Sequence, residues 1–90
     1  LEANPKNYEA ALQAGWMNVE LGRNAAAVTA FKRALVLRGT SAEAHYGLGL
    51  AHQARGQVQA AIAEYERVVE LDPDGRDTRE VKAILRQLKP

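Results

Sequence analysis

The chain has 90 residues, a formal net charge of +1 and no cysteine. This length allows one small domain, and the balanced charge gives no reason to expect nucleic acid or an anionic membrane as a partner. Without cysteine there is neither a disulfide nor a thiolate metal site, so the redox compartment stays undetermined. No apolar run in the sequence approaches the roughly 18 residues that cross a membrane as a helix.

Helical segments separated by glycine or proline are predicted along the whole chain. In chain order, the first unit runs from about residue 8 to 21, breaks at residues 22–24 and continues to about 37. The second unit begins after Gly39, breaks at residues 56–57 and ends at residues 72–73, and a fifth helix runs from about 77 to 89. Asn7, Asn24 and the pair Thr40 and Glu43 have the residue types and spacing of helix N-caps. No strand pattern is visible, which indicates an all-α protein.

The sequence repeats itself without a gap, with a period of about 34 residues that is typical of arrays of helix–turn–helix units. Glycine, alanine and aromatic residues recur at this spacing: Gly15 and Gly49, Gly22 and Gly56, Ala27 and Ala61, Phe31 and Tyr65. We call this spacing the repeat period. Glycine inside a helix costs about 0.5–1 kcal/mol relative to alanine, so Gly15 and Gly49 predict points of close helix contact. We expect Phe31 and Tyr65 to fill the adjacent core.

At these positions the chain resembles the tetratricopeptide repeats. The second unit has the family's small, aromatic and turn residues at the family spacing: Leu48, Gly49, Gly56, Ala61, Tyr65 and Pro73. The first unit has Gly15, Gly22, Ala27, Phe31 and Ala34. His45 and His52 depart from the pattern, since the family usually has Trp and Tyr there. The resemblance implies an α-solenoid segment of tandem helix–turn–helix repeats, here two helical hairpins and a C-terminal capping helix.

The resemblance also divides the chain into repeats. It implies a first repeat at residues 8–41, a second at 42–75 and a capping helix at 76–90. Residues 1–7 resemble the end of a preceding repeat, and a leader segment is the alternative. In the last helix the apolar stripe Val81, Ile84, Leu85 and Leu88 matches the repeats only if the turn before it holds two additional residues. The other face of this helix is basic, with Arg79, Lys82, Arg86 and Lys89, and we expect it to be solvated.

No arrangement of residues for catalysis is visible in the sequence. The hydroxyl residues lie outside nucleophile motifs, and Thr40 and Ser41 are better interpreted as helix caps. His45 and His52 stand seven residues apart on one helix, or roughly 10 Å along its axis, which is too far for one metal ion. We interpret them as structural histidines and expect neither an enzyme nor a cofactor.

In the resembled family, the first helices of successive repeats line a concave groove. Helical-wheel positions predict the following groove residues: Glu9, Leu12, Gln13, Trp16 and Glu20 from the first helix, and Glu43, Tyr46, Leu50 and Gln53 from the third. Four of them, Leu12, Trp16, Tyr46 and Leu50, would form an apolar path with glutamates at its rim. Contiguous exposed apolar residues mark interaction surfaces, and Trp and Tyr are preferred interface anchors.

This path predicts a protein-interaction or scaffold module that binds an apolar or amphipathic peptide segment. An acidic rim over apolar anchors suits a partner protein with large hydrophobic side chains and some Lys or Arg. Two alternatives remain open. In the first, another part of a larger protein or a second copy of the chain covers the groove, as in a homodimer. In the second, Trp16 is buried inside its own hairpin.

Overall fold

Five helices make up the part of the chain that the computed structural model describes, residues 5–90. They are α1 (Pro5–Glu20), α2 (Asn24–Leu37), α3 (Ala42–Ala54), α4 (Val58–Leu71) and α5 (Thr78–Leu88). No strand occurs among residues 5–90, which confirms the predicted all-α fold. The predicted end of a preceding repeat, residues 1–7, lies largely outside the described residues, and its last three residues belong to α1.

The starts of α1 and α2 differ from the predicted N-caps. Arg23 and not Asn24 stands at the N-cap of α2, without a side-chain capping bond, and Asn24 is the first helical residue. α1 begins at Pro5, so Asn7 lies within its first turn. Proline suits this position because its missing N–H would have no partner within the helix. Of the two residues predicted as caps of α3, Thr40 and Ser41, it is Ser41 that caps the helix, and its Oγ accepts a hydrogen bond from the Ala44 N–H at 3.0 Å. This bond satisfies one of the free N–H groups of the first turn.

Each hairpin turns at a glycine with a left-handed backbone conformation. Gly22 has a φ of +74° and Gly56 has a φ of +77°, values that glycine adopts without steric strain. The N–H of Arg23 donates to the carbonyl oxygen of Asn18 at 2.8 Å, and the second turn repeats this bond at 2.9 Å. Both helices therefore end in the hydrogen-bond pattern of a Schellman motif, at equivalent places in the two repeats.

Each hairpin closes around one aromatic ring. Phe31 of α2 and Tyr65 of α4 are completely buried. A Cβ atom added at Gly15 would lie 2.5 Å from the Phe31 ring, and one added at Gly49 would lie 2.6 Å from the Tyr65 ring. These distances are shorter than van der Waals contacts, so the predicted close approach at Gly15 and Gly49 is confirmed.

The first hairpin (α1 and α2) and the second hairpin (α3 and α4) share one buried core. Gly47 of α3 also faces the Phe31 ring, so closely that a Cβ atom there would overlap the ring. The Tyr8 hydroxyl lies 2.6 Å from the Ser41 Oγ, and both residues are buried. The guanidinium of Arg38 lies 4.1 Å from the centre of the Tyr8 ring, a favourable cation–π distance. The stacked helices form an elongated body of 42 × 28 × 18 Å.

α5 packs on α4 with its apolar stripe. Val81 is fully buried together with Tyr65 and Val68, and Ile84, Leu85 and Leu88 pack half-buried against them. The most buried residues of α5, Thr78 and Val81, stand one repeat period after Ala44 and Gly47. α5 therefore contacts α4 with the face that α3 uses against α2. For this contact the repeat period is unchanged, and the predicted addition of two residues in the turn does not describe it.

Candidate functional site

Six of the nine predicted groove residues lie at equivalent places on α1 and α3. Glu9 corresponds to Glu43, Leu12 to Tyr46, and Trp16 to Leu50, each pair being one repeat period apart. By exposure the nine form three groups: Glu9, Gln13, Glu20 and Glu43 are exposed, Trp16, Tyr46, Leu50 and Gln53 are half-buried, and Leu12 is buried. The structure brings three of them, Trp16, Glu43 and Tyr46, into one contact region.

Four aromatic rings form a row from the core of the first hairpin to the core of the second. The ring centroids are 5.1 Å apart for Trp16 and Phe31, 5.9 Å for Trp16 and Tyr46, and 6.4 Å for Tyr46 and Tyr65. The first pair is edge-to-face, one of the preferred geometries. The two end rings are fully buried, whereas Trp16 and Tyr46 remain partly exposed. The partly exposed rings of Trp16 and Tyr46 therefore each pack against a fully buried aromatic ring, Phe31 or Tyr65.

Trp16 is half-buried between its own hairpin and α3. Its indole Nε1–H donates a hydrogen bond to Glu43 Oε2 at 3.0 Å, which ties α1 to α3. Its ring contacts Phe31 of the same hairpin and Tyr46 of the next. The side chain is therefore neither freely exposed, as the predicted path implied, nor enclosed within its own hairpin, as the second alternative implied.

Leu12 lies in the core and not in the groove. It is only 8% exposed and belongs to the buried cluster that includes Ala44 and Leu48 of α3. A helical wheel of one isolated helix does not show this burial, because it arises when α3 stacks on the first hairpin. Leu12 is therefore a correction to the predicted apolar path, which reduces to Trp16, Tyr46 and Leu50.

A pocket of about 500 Å³ opens beside Trp16 and Tyr46. The second hairpin, the residues between α4 and α5, and the first residue of α5 supply the rest of its wall: Ala42, Glu43, Val68, Asp72, Arg76, Asp77 and Thr78. Three of these side chains are acidic and one is basic. The pocket therefore combines aromatic surface with a negative potential.

The acidic residues that precede α5 are absent from the predicted groove. Asp77 stands one repeat period after Glu43, and Glu43 stands one repeat period after Glu9. The repeat thus places a carboxylate at the same position of three successive units. This signal is present in the sequence, but aligning the last helix with two additional residues in the turn hides it.

The hydroxyl groups of Tyr46 and Tyr65 are held in their protonated form. Burial raises the pKa of Tyr46 above its usual value near 10, and the carboxylates of Glu80 and Asp77 raise it further. Burial, and then the neighbouring Tyr46, raises the pKa of Tyr65. The Tyr65 hydroxyl donates to Gln53 Oε1 at 2.6 Å, which fixes the side chain of Gln53, one of the predicted groove residues. Tyr46 therefore offers an O–H donor beside acidic groups.

Both histidines have partners within the fold. His45 Nδ1 lies 2.6 Å from Glu64 Oε1, and its Nε2 lies 3.3 Å from the Gly39 carbonyl oxygen. His52 Nδ1 lies 2.7 Å from Gln57 Oε1. Within residues 5–90, no three His, Cys, Asp or Glu side chains are grouped so that they could hold a metal ion. In the same range, every helix is too short or too polar to cross a membrane.

Two stacked helical hairpins, each closed around one ring, with a partly exposed surface on their first helices, define a helical-repeat module. A sequence model of the tetratricopeptide repeat family matches residues 1–42 and 12–76. The chain therefore belongs to the tetratricopeptide repeat family, and the resemblance seen in the sequence is confirmed. This family is a non-catalytic module for protein–protein interaction.

The chain is also similar to Protein CTR9 homolog from Arabidopsis thaliana. The two sequences are 35% identical over 75 residues, which is 82% of this chain. The chain spans about 7% of the length of that curated relative. The similarity therefore describes one short segment of a much longer protein.

Proposed function

We propose that this chain binds a peptide segment of a partner protein at the surface formed by Trp16, Glu43 and Tyr46. The segment is amphipathic, with at least one large apolar side chain and a neighbouring Lys or Arg. The observation that carries the proposal is the partly exposed Trp16–Tyr46 pair beside an acidic pocket of about 500 Å³.

The proposed apolar side chain of the peptide would contact the partly exposed rings of Trp16 and Tyr46. A fully buried aromatic side chain covers roughly 150–250 Å², which corresponds to about 4–6 kcal/mol at 25 cal/mol per Å². Trp16 and Tyr46 are already partly covered in the fold, and association itself costs free energy. Because the rings are held by core contacts, they lose little conformational entropy on binding. We therefore expect a dissociation constant in the micromolar range.

The basic part of the proposal follows from the charge of the pocket. The pocket wall has three carboxylates, those of Glu43, Asp72 and Asp77, and one cation, Arg76. Glu9 is also exposed, on the same side of α1 as the predicted groove. A Lys or Arg side chain would gain from these carboxylates and from the faces of the two aromatic rings. An acidic peptide would be repelled.

Three synthetic peptides of equal length test the proposed chemistry. The first combines Leu and Phe with Lys, the second has Glu in place of Lys, and the third has Ser in place of Leu and Phe. The emission of Trp16, the single tryptophan of the chain, reports binding. We expect the first peptide to shift this emission and the other two to bind at least about tenfold more weakly. Equal binding of the Glu peptide would contradict the proposal.

A matched pair of variants tests the location of the site. Asp77→Asn removes one charge from the pocket wall, and Asp77 makes no side-chain capping bond that its loss would break. We expect severalfold weaker binding of the Lys peptide. Asp74→Asn is the control, because it makes the same change between the same two helices but lies outside this pocket. An equal effect of both variants would point to a general charge effect instead of this site.

A second candidate function is self-association through α1, and the exposure of its apolar side chains favours it. Met17 is 61% and Leu21 is 59% exposed. Met17 stands one repeat period before Ala51, which is fully buried between the hairpins. α1 thus exposes the position that α3 buries, and a second copy could cover it. Sedimentation equilibrium of the unmodified protein and of Met17→Gln tests this: association that the variant abolishes supports it, and a monomer at all concentrations rejects it.

A further inference from the structure

The outward face of α5 carries four cations, and one of them, Lys89, is paired with the carboxylate of Glu66. Arg79, Lys82 and Arg86 are all exposed, and their spacing of three and four residues places them on one side of the helix. They line a depression of about 420 Å³ in front of residues 73–75. Among the described residues, none of these three side chains has an ion pair or a hydrogen bond. We call this surface the basic face.

An apolar depression of about 360 Å³ adjoins the basic face. It shares Lys82 and Arg86 with that face and adds Val69 and Leu85, both half-buried. Glu66 also lies at its edge, but the Lys89 Nζ holds this carboxylate at 2.6 Å. The positive charge of the face is therefore opposed mainly by one carboxylate, that of Asp74. A ligand at this surface can therefore contact the cations Lys82 and Arg86 and the apolar residues Val69 and Leu85 at the same time.

The residues of α3 that are equivalent to the basic face indicate which kind of structural element can pack on it. One repeat period earlier, the positions of Arg79, Lys82 and Arg86 are occupied by His45, Leu48 and His52 of α3. Of these, His45 contacts Glu64 of α4, whereas Leu48 belongs to the core shared with the first hairpin. The His45 side of this face is therefore the one on which a second helix lies. The equivalent face of α5 is uncovered among the described residues, and it has the geometry to receive a helix.

We propose that the basic face binds an acidic amphipathic helix of a partner protein. Its carboxylates would pair with Arg79, Lys82 and Arg86, where the guanidinium groups favour bidentate bonds to carboxylates. One apolar side chain of the same helix would enter the depression at Val69 and Leu85. This surface is separate from the acidic pocket, takes a ligand of the opposite charge, and does not depend on the function proposed above.

The size of the basic face favours a protein helix over a membrane or a nucleic acid. The first and last of the three cations, Arg79 and Arg86, are seven positions apart on α5, or roughly 10 Å along its axis. Lipid recognition by basic segments typically uses clusters of about four to eight Lys or Arg. Here Lys89, the fourth cation on this side of α5, is already paired with Glu66, which leaves three. Acidic residues also stand at both edges, and an apolar depression adjoins the cations. One turn or two of an acidic helix matches these dimensions.

The test uses a fluorescein-labelled helical peptide about as long as α4, with Glu and Leu on one face, and measures its anisotropy with the 90-residue chain. The double variant K82E/R86E should weaken binding by at least about tenfold. The control K32E/R33E makes the same charge change on α2, where both residues are exposed, and should change binding less than about twofold. Binding should also weaken as salt increases from about 50 to 500 mM.

The opposite results would overturn the proposal. They are absence of peptide binding to the unmodified chain, equal losses in the two double variants, or equal binding of a peptide in which Lys replaces Glu. Binding of anionic vesicles or duplex DNA that depends on Lys82 and Arg86, without peptide binding, would assign the face to another class of partner. Circular dichroism of K82E/R86E checks that α5 remains folded. Asp77→Asn should leave this peptide's affinity unchanged, which keeps the result separate from the acidic pocket.

Discussion

A glycine inside a helix of this protein marks the place where an aromatic ring from a neighbouring helix needs space. Gly15 and Gly47 both face Phe31, and Gly49 faces Tyr65. At each glycine the helix loses about 1 kcal/mol of intrinsic propensity relative to alanine. The buried ring offsets this loss, because each ring is fully enclosed and contacts atoms on every side. The local penalty and the core contact are therefore one feature of the fold.

Replacing Gly49 by alanine tests this explanation. The new Cβ atom would lie 2.6 Å from the Tyr65 ring, so the ring or the helix must shift. We expect the free energy of unfolding, measured with urea, to fall by about 1–3 kcal/mol although alanine is the better helix former. In a Tyr65→Leu background the same substitution should cost less, because the ring is gone. An equal cost in both backgrounds would contradict a steric origin.

The hydroxyl of Tyr65 predicts how stability changes at alkaline pH. Burial raises its pKa in the folded chain, whereas the unfolded chain releases this proton near the usual pKa of about 10. Above that pH the unfolded state binds fewer protons than the folded state, so stability falls as the pH rises. Urea unfolding of Tyr65→Phe should show a smaller fall than the unmodified protein between about pH 9 and 11. The same fall in both proteins would assign it to other groups.

At the scale of the helices, local signals predicted most of the structure. Gly22, Gly56 and Pro73 separate the helices, and these residues act through backbone geometry that needs no knowledge of the fold. The stacking of the helices needs contacts between distant residues, which explains the two differences in the candidate site. Leu12 is buried because α3 lies against it. Asp77 lines the pocket because the connection between α4 and α5, residues 72–77, passes beside it.

α5 is the helix whose packing can be tested separately. Val81 is fully buried against α4, whereas Val36 of α2 is 85% exposed. Val81→Asp should lower the free energy of unfolding by about 2–5 kcal/mol because it buries a charge. Val36→Asp, the matched control, should change it by less than about 0.5 kcal/mol. Hydrogen exchange should show lost protection in α5 first and retained protection in the first hairpin. A uniform loss in all helices would show that α5 is not a separate unit.

At the scale of the whole molecule, a net charge of +1 conceals two surfaces of opposite sign. The pocket beside Trp16 has three acidic side chains and one basic side chain, and the basic face of α5 has three cations without a paired carboxylate among the described residues. The balanced total follows from the sequence, but the separation of the charges follows from the fold. Bulk charge therefore describes solubility and long-range steering, and local charge describes which partner each surface can accept.

The two hairpins should unfold together, and we expect the Phe31 ring to make the largest contribution to their coupling. Its ring lies against Gly15 of the first hairpin and Gly47 of the second. In the unmodified protein we expect Trp16 fluorescence, which reports the contact region, and far-UV circular dichroism, which reports all helices, to give the same urea midpoint.

Phe31→Leu should lower and separate the two midpoints, with Trp16 changing first. Tyr65→Leu, a similar change deeper in the second hairpin, should lower both midpoints without separating them. Coincident midpoints in Phe31→Leu would show that the Tyr8–Ser41 hydrogen bond and the rest of the shared core couple the hairpins without this ring.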